Sequence, residues 1–179
     1  WCGVNDEITV LRETGCYADF TQPAAPDVSQ VRTVNAIYYA VDDATHPRSH
    51  EYGIAARAGQ MPPPAGFLLV QGPIALNWDR RVLGLIPGLD VGAIDGSPGY
   101  MAELTRFRRW VDRSIAARGR PEWVFVKVHT HGAPERNAAT LLGSGMAAFH
   151  EGIGREFNDG RRYRLHYVTA REMFNIVRA

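Results

Sequence analysis

The sequence predicts an α/β fold, because helices and strands alternate through the carboxyl-terminal half of the chain. Apolar side chains at helical spacing, a strongly apolar run and a capping-box pattern at Thr169 and Glu172 support this prediction. The predicted elements are helix 100–118, strand 123–132, helix 137–157, strand 163–168 and a final helix from Thr169. This order favours a parallel sheet with helical crossovers, as part of an α/β barrel or a doubly wound sheet, within one domain over residues 1–179.

The amino-terminal half reads as shorter elements separated by loops. Asn5 can cap a helix over residues 5–14, and Gly15 can end it. Short strands are predicted over residues 16–20, 35–40 and 67–71. Residues 41–66 read as a long irregular loop, and residues 82–99, which are rich in Gly and Pro, are expected to be irregular or briefly extended.

The composition is typical of one soluble globular domain, since 45% of the 179 residues are hydrophobic and 22% are charged. A formal net charge of +1 gives no electrostatic case for binding nucleic acid or an anionic membrane surface. No apolar run reaches the roughly 18 residues that a membrane span requires. The arginines of the predicted helix 100–118 are expected on a solvated face; they are Arg106, Arg108, Arg109 and Arg113.

The ends of the chain and its cysteines say little about the compartment. Cys2 and Cys16 lack the spacing of a disulfide scaffold or a metal site, and Cys16 is expected to be a buried, inert thiol. The chain begins with Trp1, and a helix is predicted to start at Asn5. We therefore expect the sequence to be an excerpt that begins inside a domain.

The predicted strand 123–132 is the most informative stretch, because it brings two histidines to its carboxyl end. Side chains alternate along a strand, so Lys127, His129 and His131 are expected to point into one space. In α/β folds the carboxyl ends of strands are where ligands bind. His129 and His131 could bind a metal, or one could act as a general acid beside a hydrogen-bonding partner, or both could be polar loop residues.

Other candidates lie where other predicted elements end. Asp19 ends a short strand and could orient an imidazole or activate water, or it could make a turn. Asn77 and Trp78 could form a substrate platform, although Trp78 could also belong to the core. The Asp and His residues of the loop 41–66 fit solvated turn chemistry better than a ligand cluster; they are Asp42, Asp43, His46 and His50.

With these residues placed, the chain resembles a polysaccharide deacetylase of a divergent branch, over the carboxyl-terminal two-thirds of that domain. The resemblance rests on residues 15–21 (GCYADFT), 37–40 (IYYA) with Asp42 and Asp43, 71–73 (QGP) and 126–132 (VKVHTHG). It implies a partial, distorted (β/α) barrel of the TIM-like kind, with its amino-terminal strands upstream of Trp1. It also implies a hydrolase acting on C–N bonds other than peptide bonds, in which a divalent metal, usually zinc, is held by an Asp and two His residues.

The resemblance assigns the late-strand histidine of the family to His129, which would protonate the leaving amine, with Asp19 or Lys127 tuning it. Tyr17, Asn77, Trp78, Lys127 and His131 would bind the carbohydrate. The metal ligands are expected upstream of Trp1, because neither the Asp-Asp nor the His-x-x-x-His motif occurs here in the family's order. The Arg of the family's Arg-Pro motif is absent near Thr21, and Asn77 with Trp78 stands where the family has an Asp-Trp pair.

Three functions remain open on the sequence. The first is a metal-dependent enzyme that removes acyl groups from an N-acylated carbohydrate. The second is a catalytically inactive barrel that binds glycan without converting it. The third is an amidohydrolase-like enzyme that uses His129 and His131 directly as metal ligands.

Overall fold

The computed structural model describes residues 5–132 and 134–179, so Trp1 and Cys2 lie outside the described residues. Its helices and strands confirm the α/β class. They are α1 (Glu7–Glu13), β1 (Ala18–Asp19), β2 (Ala36–Ala40), a 3-10 turn (Ser49–Glu51), β3 (Ile54–Ala55), β4 (Phe67–Gln71), β5 (Ile74–Val82), β6 (Ile86–Val91), α2 (Leu104–Val111), α3 (Glu135–Leu142), α4 (Ser144–Phe157) and α5 (Ala170–Arg178).

The strands form a four-stranded sheet in the order β1-β4-β2-β3 and a separate β5–β6 hairpin. Only β1 and β4 run parallel, and β2 is antiparallel to both β3 and β4. The expectation of a parallel sheet with helical crossovers is therefore wrong for most of the sheet. Within residues 5–132 and 134–179 the sheets are open, and no barrel closes.

Both faces of the four-stranded sheet are buried, which explains why β4 is apolar at almost every position. Leu69 lies opposite Asp19 and Tyr38, so these side chains share the face that α1 covers through Ile8. The opposite face carries Leu68 and packs against α5 and neighbouring loops. We call these two clusters together the sheet core.

A second cluster, the helical core, lies between α2 and α4. Its buried members are Ile94, Trp110, Phe149, Ile153 and Phe157. Residues 123–129, which we call the central segment, run between the two cores. Phe125 packs in the sheet core, whereas its neighbour Val126 packs against the helical core. The side-chain alternation predicted for this stretch therefore exists, and it joins the two halves of the molecule.

The predicted strands 123–132 and 163–168 are wrong as strands. The central segment is extended, but its partners are loops: Phe125 N donates to Ile115 O at 2.8 Å, and His129 N donates to Gly92 O at 2.9 Å. Only one bridge forms, between Ala93 and His129. Residues 163–168 likewise form no strand, and Leu165 N donates to the side chain of Asn158 at 3.2 Å.

The helices begin and end differently from the sequence prediction at several points. The helix predicted over 100–118 covers only Leu104–Val111, and Ser114 adopts a left-handed φ of 50° beyond it. The helix predicted over 137–157 is split at Gly143, where a Cβ would collide with the Ala139 carbonyl. At α5 the capping box of Thr169 and Glu172 is confirmed.

Three residue-level expectations are also wrong. Asn5 does not cap α1, since its side chain donates to Ala44 O at 3.0 Å and Asp6 is the N-terminal cap residue. Cys16 is exposed, not buried. Arg106 is buried rather than solvated, because its guanidinium pairs with Asp90 inside the molecule, at 2.9 Å.

Candidate functional site

His129 is held by backbone hydrogen bonds on both sides of its peptide. Its N–H donates to Gly92 O and its carbonyl accepts from Ile94 N, each at 2.9 Å. The half-buried ring lies beside Lys127, and burial, followed by the positive charges of Lys127 and His131, lowers the pKa of His129 from 6.5, against the opposing effect of Asp95. The imidazole is therefore mainly neutral at pH 7, and its protonated form is a stronger acid than that of an ordinary histidine.

Lys127 is the most unusual residue of the site. It is the only lysine in the chain, since the other residues in the Lys and Arg total of 20 are arginines. It is only 8% exposed. The Nζ donates to Gln22 O at 2.6 Å. Burial lowers the pKa of Lys127 to about 8, and the charge of Asp19 opposes that shift. A buried ammonium that loses its proton this readily can take part in proton transfer.

Asp19 ends β1, as predicted, and makes the turn that the sequence left as an alternative. Its Oδ1 accepts from Thr21 N at 2.6 Å and from Thr21 Oγ1 at 2.7 Å, and its Oδ2 accepts from Gln22 Nε2 at 3.3 Å. The same turn presents Gln22 O to Lys127. Asp19 thus fixes the loop that holds Lys127.

The predicted carbohydrate-binding residues are spread over different parts of the structure. Exposed His131 lies close enough to affect His129, and its carbonyl accepts from Asn137 Nδ2 at 2.7 Å. Tyr17 packs against Phe174 of α5 with tilted rings, at a centroid distance of 4.4 Å, and lines a shallow hollow of about 270 Å³. That helix covers the sheet face opposite to the Asp19 side chain.

Asn77 and Trp78 lie on the separate β5–β6 hairpin. The Asn77 side chain accepts from the backbone of Asp79 at 3.0 Å, which supports the bulge in β5. Trp78 is exposed, so the alternative that it belongs to the core is wrong. The structure therefore brings together Asp19, Lys127, His129 and His131, and it leaves the other predicted site residues elsewhere.

Two buried polar residues lie on the Asp19 side of the sheet: sequence reasoning missed Gln22, and its interpretation of His50 as a solvated turn residue is wrong. Gln22 is 8% exposed, and its Oε1 has no partner among the described residues. His50 is 1% exposed, and its charge would interact with Asp19 and Asp42. The position of Gln22 directly after the Asp19 strand end was a usable signal, whereas nothing near His50 in sequence indicates its burial.

The described residues do not form a zinc site. No group of three or more His, Cys, Asp or Glu side chains in residues 5–132 and 134–179 is arranged to hold a metal ion. His129 and His131 alone cannot supply the three protein ligands of a catalytic zinc. The amidohydrolase-like hypothesis thus lacks a ligand in this part of the chain, and no catalytic step is assigned to a metal.

Comparison with protein-family models, with curated proteins and with solved structures yields no match for this chain. Across the part of the chain that the structure describes, no helix has both the length and the apolar character to cross a membrane.

Proposed function

We propose that this chain carries the proton-transfer side of a site that removes acyl groups from an N-acylated carbohydrate. The observation that carries the proposal is the pair formed by buried Lys127 and half-buried His129, which project from one side of the central segment. The resemblance of residues 126–132 to polysaccharide deacetylases supplies the substrate class.

In this proposal His129 donates a proton to the amine nitrogen as the C–N bond breaks. Water forms the new C–O bond to the acyl carbon and releases a proton to the solvent, and the amine leaves with the proton from the imidazole. Burial and, after it, the charge of Lys127 keep the pKa of His129 low, which makes the imidazolium a better acid, and Asp19 holds the loop that positions Lys127. Asp19 and Lys127 are thus positioning residues, while His129 is catalytic.

The direct test is acetate release from acetylated chitooligosaccharides by the intact protein with zinc supplied. His129→Ala should lower kcat/KM by about 10²–10⁴-fold, the usual contribution of a general acid. His166→Gln, at an exposed histidine outside the site, should leave the rate unchanged. Absence of acetate release, or full activity in His129→Ala, would refute the proposal.

The pH dependence gives a sharper prediction about Lys127. Because the protonated imidazole is the acid, kcat/KM should fall as the pH rises through the pKa of His129, which lies below 6.5. Lys127→Met removes a neighbouring positive charge, so the pKa of His129 should rise and this fall should move to higher pH. A fall in rate without a change of the pH profile would show that Lys127 acts only structurally.

A glycan-binding protein without activity is the second candidate. It is favoured by the exposed indole of Trp78. This function predicts that chitooligosaccharides bind in calorimetry, that Trp78→Ala weakens binding about tenfold, and that no acetate appears.

A further inference from the structure

The β5–β6 hairpin ends in an exposed apolar tip, which we define as residues 82–86. Every residue of the tip is exposed, and Leu83 and Leu85 reach 88% and 81%. Its side chains are Val82, Leu83, Leu85 and Ile86, around Gly84. Single exposed aliphatic residues are common on proteins, but a contiguous cluster at the end of an arm marks a surface of interaction.

The backbone of the tip makes this choice of residues more unusual. Leu83 and Gly84 have φ values of 53° and 71°, and Leu85 N donates to Val82 O at 3.3 Å across the turn. A turn with two left-handed central residues favours Asn followed by Gly. Leucine is strained at that φ, and its exposed side chain recovers little through packing. Folding of this chain alone therefore does not account for Leu83.

The arm is bound to α2 by ion pairs on both of its strands. Arg109 bonds Asp79 of β5 at 3.1 Å and Asp90 of β6 at 2.9 Å, and buried Arg106 bonds the other Asp90 oxygen at 2.9 Å. These ion pairs tie both strands to α2. The hairpin thus holds its tip away from the two cores.

The charged residues next to the tip in the sequence have one sign. Arg80 and Arg81 precede it and are exposed, and no acidic residue occurs from position 80 to position 89. Asp79 and Asp90 flank this stretch, but both pair with Arg109. The guanidinium of Arg81 also lies 5.8 Å from the ring centre of exposed Trp78.

We propose that the hairpin tip inserts into the surface of an anionic lipid bilayer. Leu83 lies two residues beyond Arg81, at most about 7 Å along the chain. This distance matches the roughly 5–10 Å to which interfacial segments bury apolar side chains. Arg80 and Arg81 would then lie at the phosphate level, and Trp78 would occupy the interface that indoles prefer. The net charge of +1 hides this local pattern.

Other occupants fit the tip less well. Sugar rings are recognised by aromatic faces and hydrogen-bonding groups, which the aliphatic tip lacks. Leu and Val are under-represented among the residues that dominate protein interfaces. A second copy packed tip to tip would bring its own Arg80 and Arg81 against this pair, with no free carboxylate between positions 80 and 89 to offset them.

The test is co-sedimentation of the intact protein with phosphatidylcholine vesicles, with and without phosphatidylserine. We expect binding to the anionic vesicles together with a blue shift of tryptophan emission. Leu83→Asn with Leu85→Ser should weaken partitioning about tenfold per leucine. Arg80→Gln with Arg81→Gln should weaken it about fivefold per arginine and remove the preference for phosphatidylserine.

Leu83→Asn also separates binding from folding, because Asn suits the left-handed turn and should raise the melting temperature while binding falls. The matched controls are Leu142→Ser, at a leucine 87% exposed at the end of α3, and Arg161→Gln with Arg162→Gln, an exposed pair elsewhere. Both controls should bind like the parent protein. Absence of vesicle binding, equal loss in the controls, or a dimer in light scattering that the tip variants abolish would overturn the proposal.

Discussion

His50 shows what one buried polar residue costs this protein. The ring is 1% exposed, and neither ring nitrogen has a hydrogen-bond partner among the described residues. Burial is the largest cause that lowers its pKa below 6.5, although Glu7, Asp19 and Asp42 act in the opposite direction. The folded state therefore favours the neutral imidazole, whereas the unfolded chain takes up a proton near pH 6.5.

This difference predicts a stability contribution that depends on pH. The contribution of His50 is fully present above pH 6.5 and is lost as the pH falls toward its lower folded pKa, because the unfolded state binds the proton first. His50→Leu should be neutral or stabilising by about 1–3 kcal/mol, since it removes two unpaired buried polar atoms. It should also flatten the pH dependence of urea unfolding between pH 7.5 and about 5.

The control is His166→Gln, which changes an exposed histidine and should leave that pH dependence intact. Equal pH profiles for the parent protein and His50→Leu would contradict the assignment.

Single residues also show where reasoning from the sequence succeeds. The sequence predicts turn chemistry for Asp43, and its Oδ1 accepts from Thr45 N at 3.0 Å, a contact two residues away. The burial of His50 depends on segments far along the chain.

At the scale of the elements, α2 organises both the hairpin and the loop that holds His129. Arg106 donates to Asp90 Oδ1 at 2.9 Å and to the carbonyls of Val91 and Ala93 at 2.8 Å. Its guanidinium also lies 4.7 Å from the ring centre of Trp110. Because Ala93 bridges to His129, this buried arginine fixes one wall of the candidate site.

Two arginines of the same helix allow a matched comparison. Arg106→Ala removes one of the two ion-pair partners of the buried Asp90 carboxylate. It should lower the free energy of unfolding by about 3–5 kcal/mol. Arg108→Ala breaks a bidentate pair with Glu156, at 2.7 Å for each bond, but that pair is partly exposed, so the loss of stability should be much smaller than that of Arg106→Ala. Guanidinium unfolding of both variants checks this, and equal losses would contradict it.

The stripe that predicted α2 shows why the end of a helix is hard to predict. Leu104, Phe107 and Val111 pack in the helical core, but Ile115 belongs to the sheet core. Ile115 follows Val111 at helical spacing and so continues the apolar pattern beyond the last helical residue. The helix itself has ended, because the chain turns at Ser114, where φ is 50°. Apolar residues at helical spacing are predicted to be buried, but the spacing does not predict in which core each of them packs.

The central segment shows a similar limit in the prediction of strands. Alternation puts Phe125 and Lys127 on one side of the segment, and both are buried, whereas Val124 and Val128 on the other side are exposed. A strand also needs a partner strand, and the partners of this segment are the loops at Ile115 and Gly92. The apolar run therefore identified a buried extended segment and part of the candidate site, but not its pairing. The pairing of β1 with β4 joins residues about fifty positions apart, which local patterns do not encode.

On the scale of the whole molecule, two cores share one connecting wall. The sheet core and the helical core meet along the central segment, where Phe125 and Val126 pack on opposite sides. Arg106 ties the hairpin to the helical core, because it bonds the β6 end of the hairpin from within α2. Loss of either core would expose this wall, so we expect the two cores to unfold together.

This expectation can be tested with one truncation in each core. Phe174→Ala in the sheet core and Phe149→Ala in the helical core should each cost about 3–5 kcal/mol. For a chain of this size each loss lowers the melting temperature by roughly 6–20 °C. In scanning calorimetry both variants should shift the same single transition. Two transitions, with each variant moving only its own, would instead show that residues 1–179 contain two independently folding units and that the central segment couples them weakly.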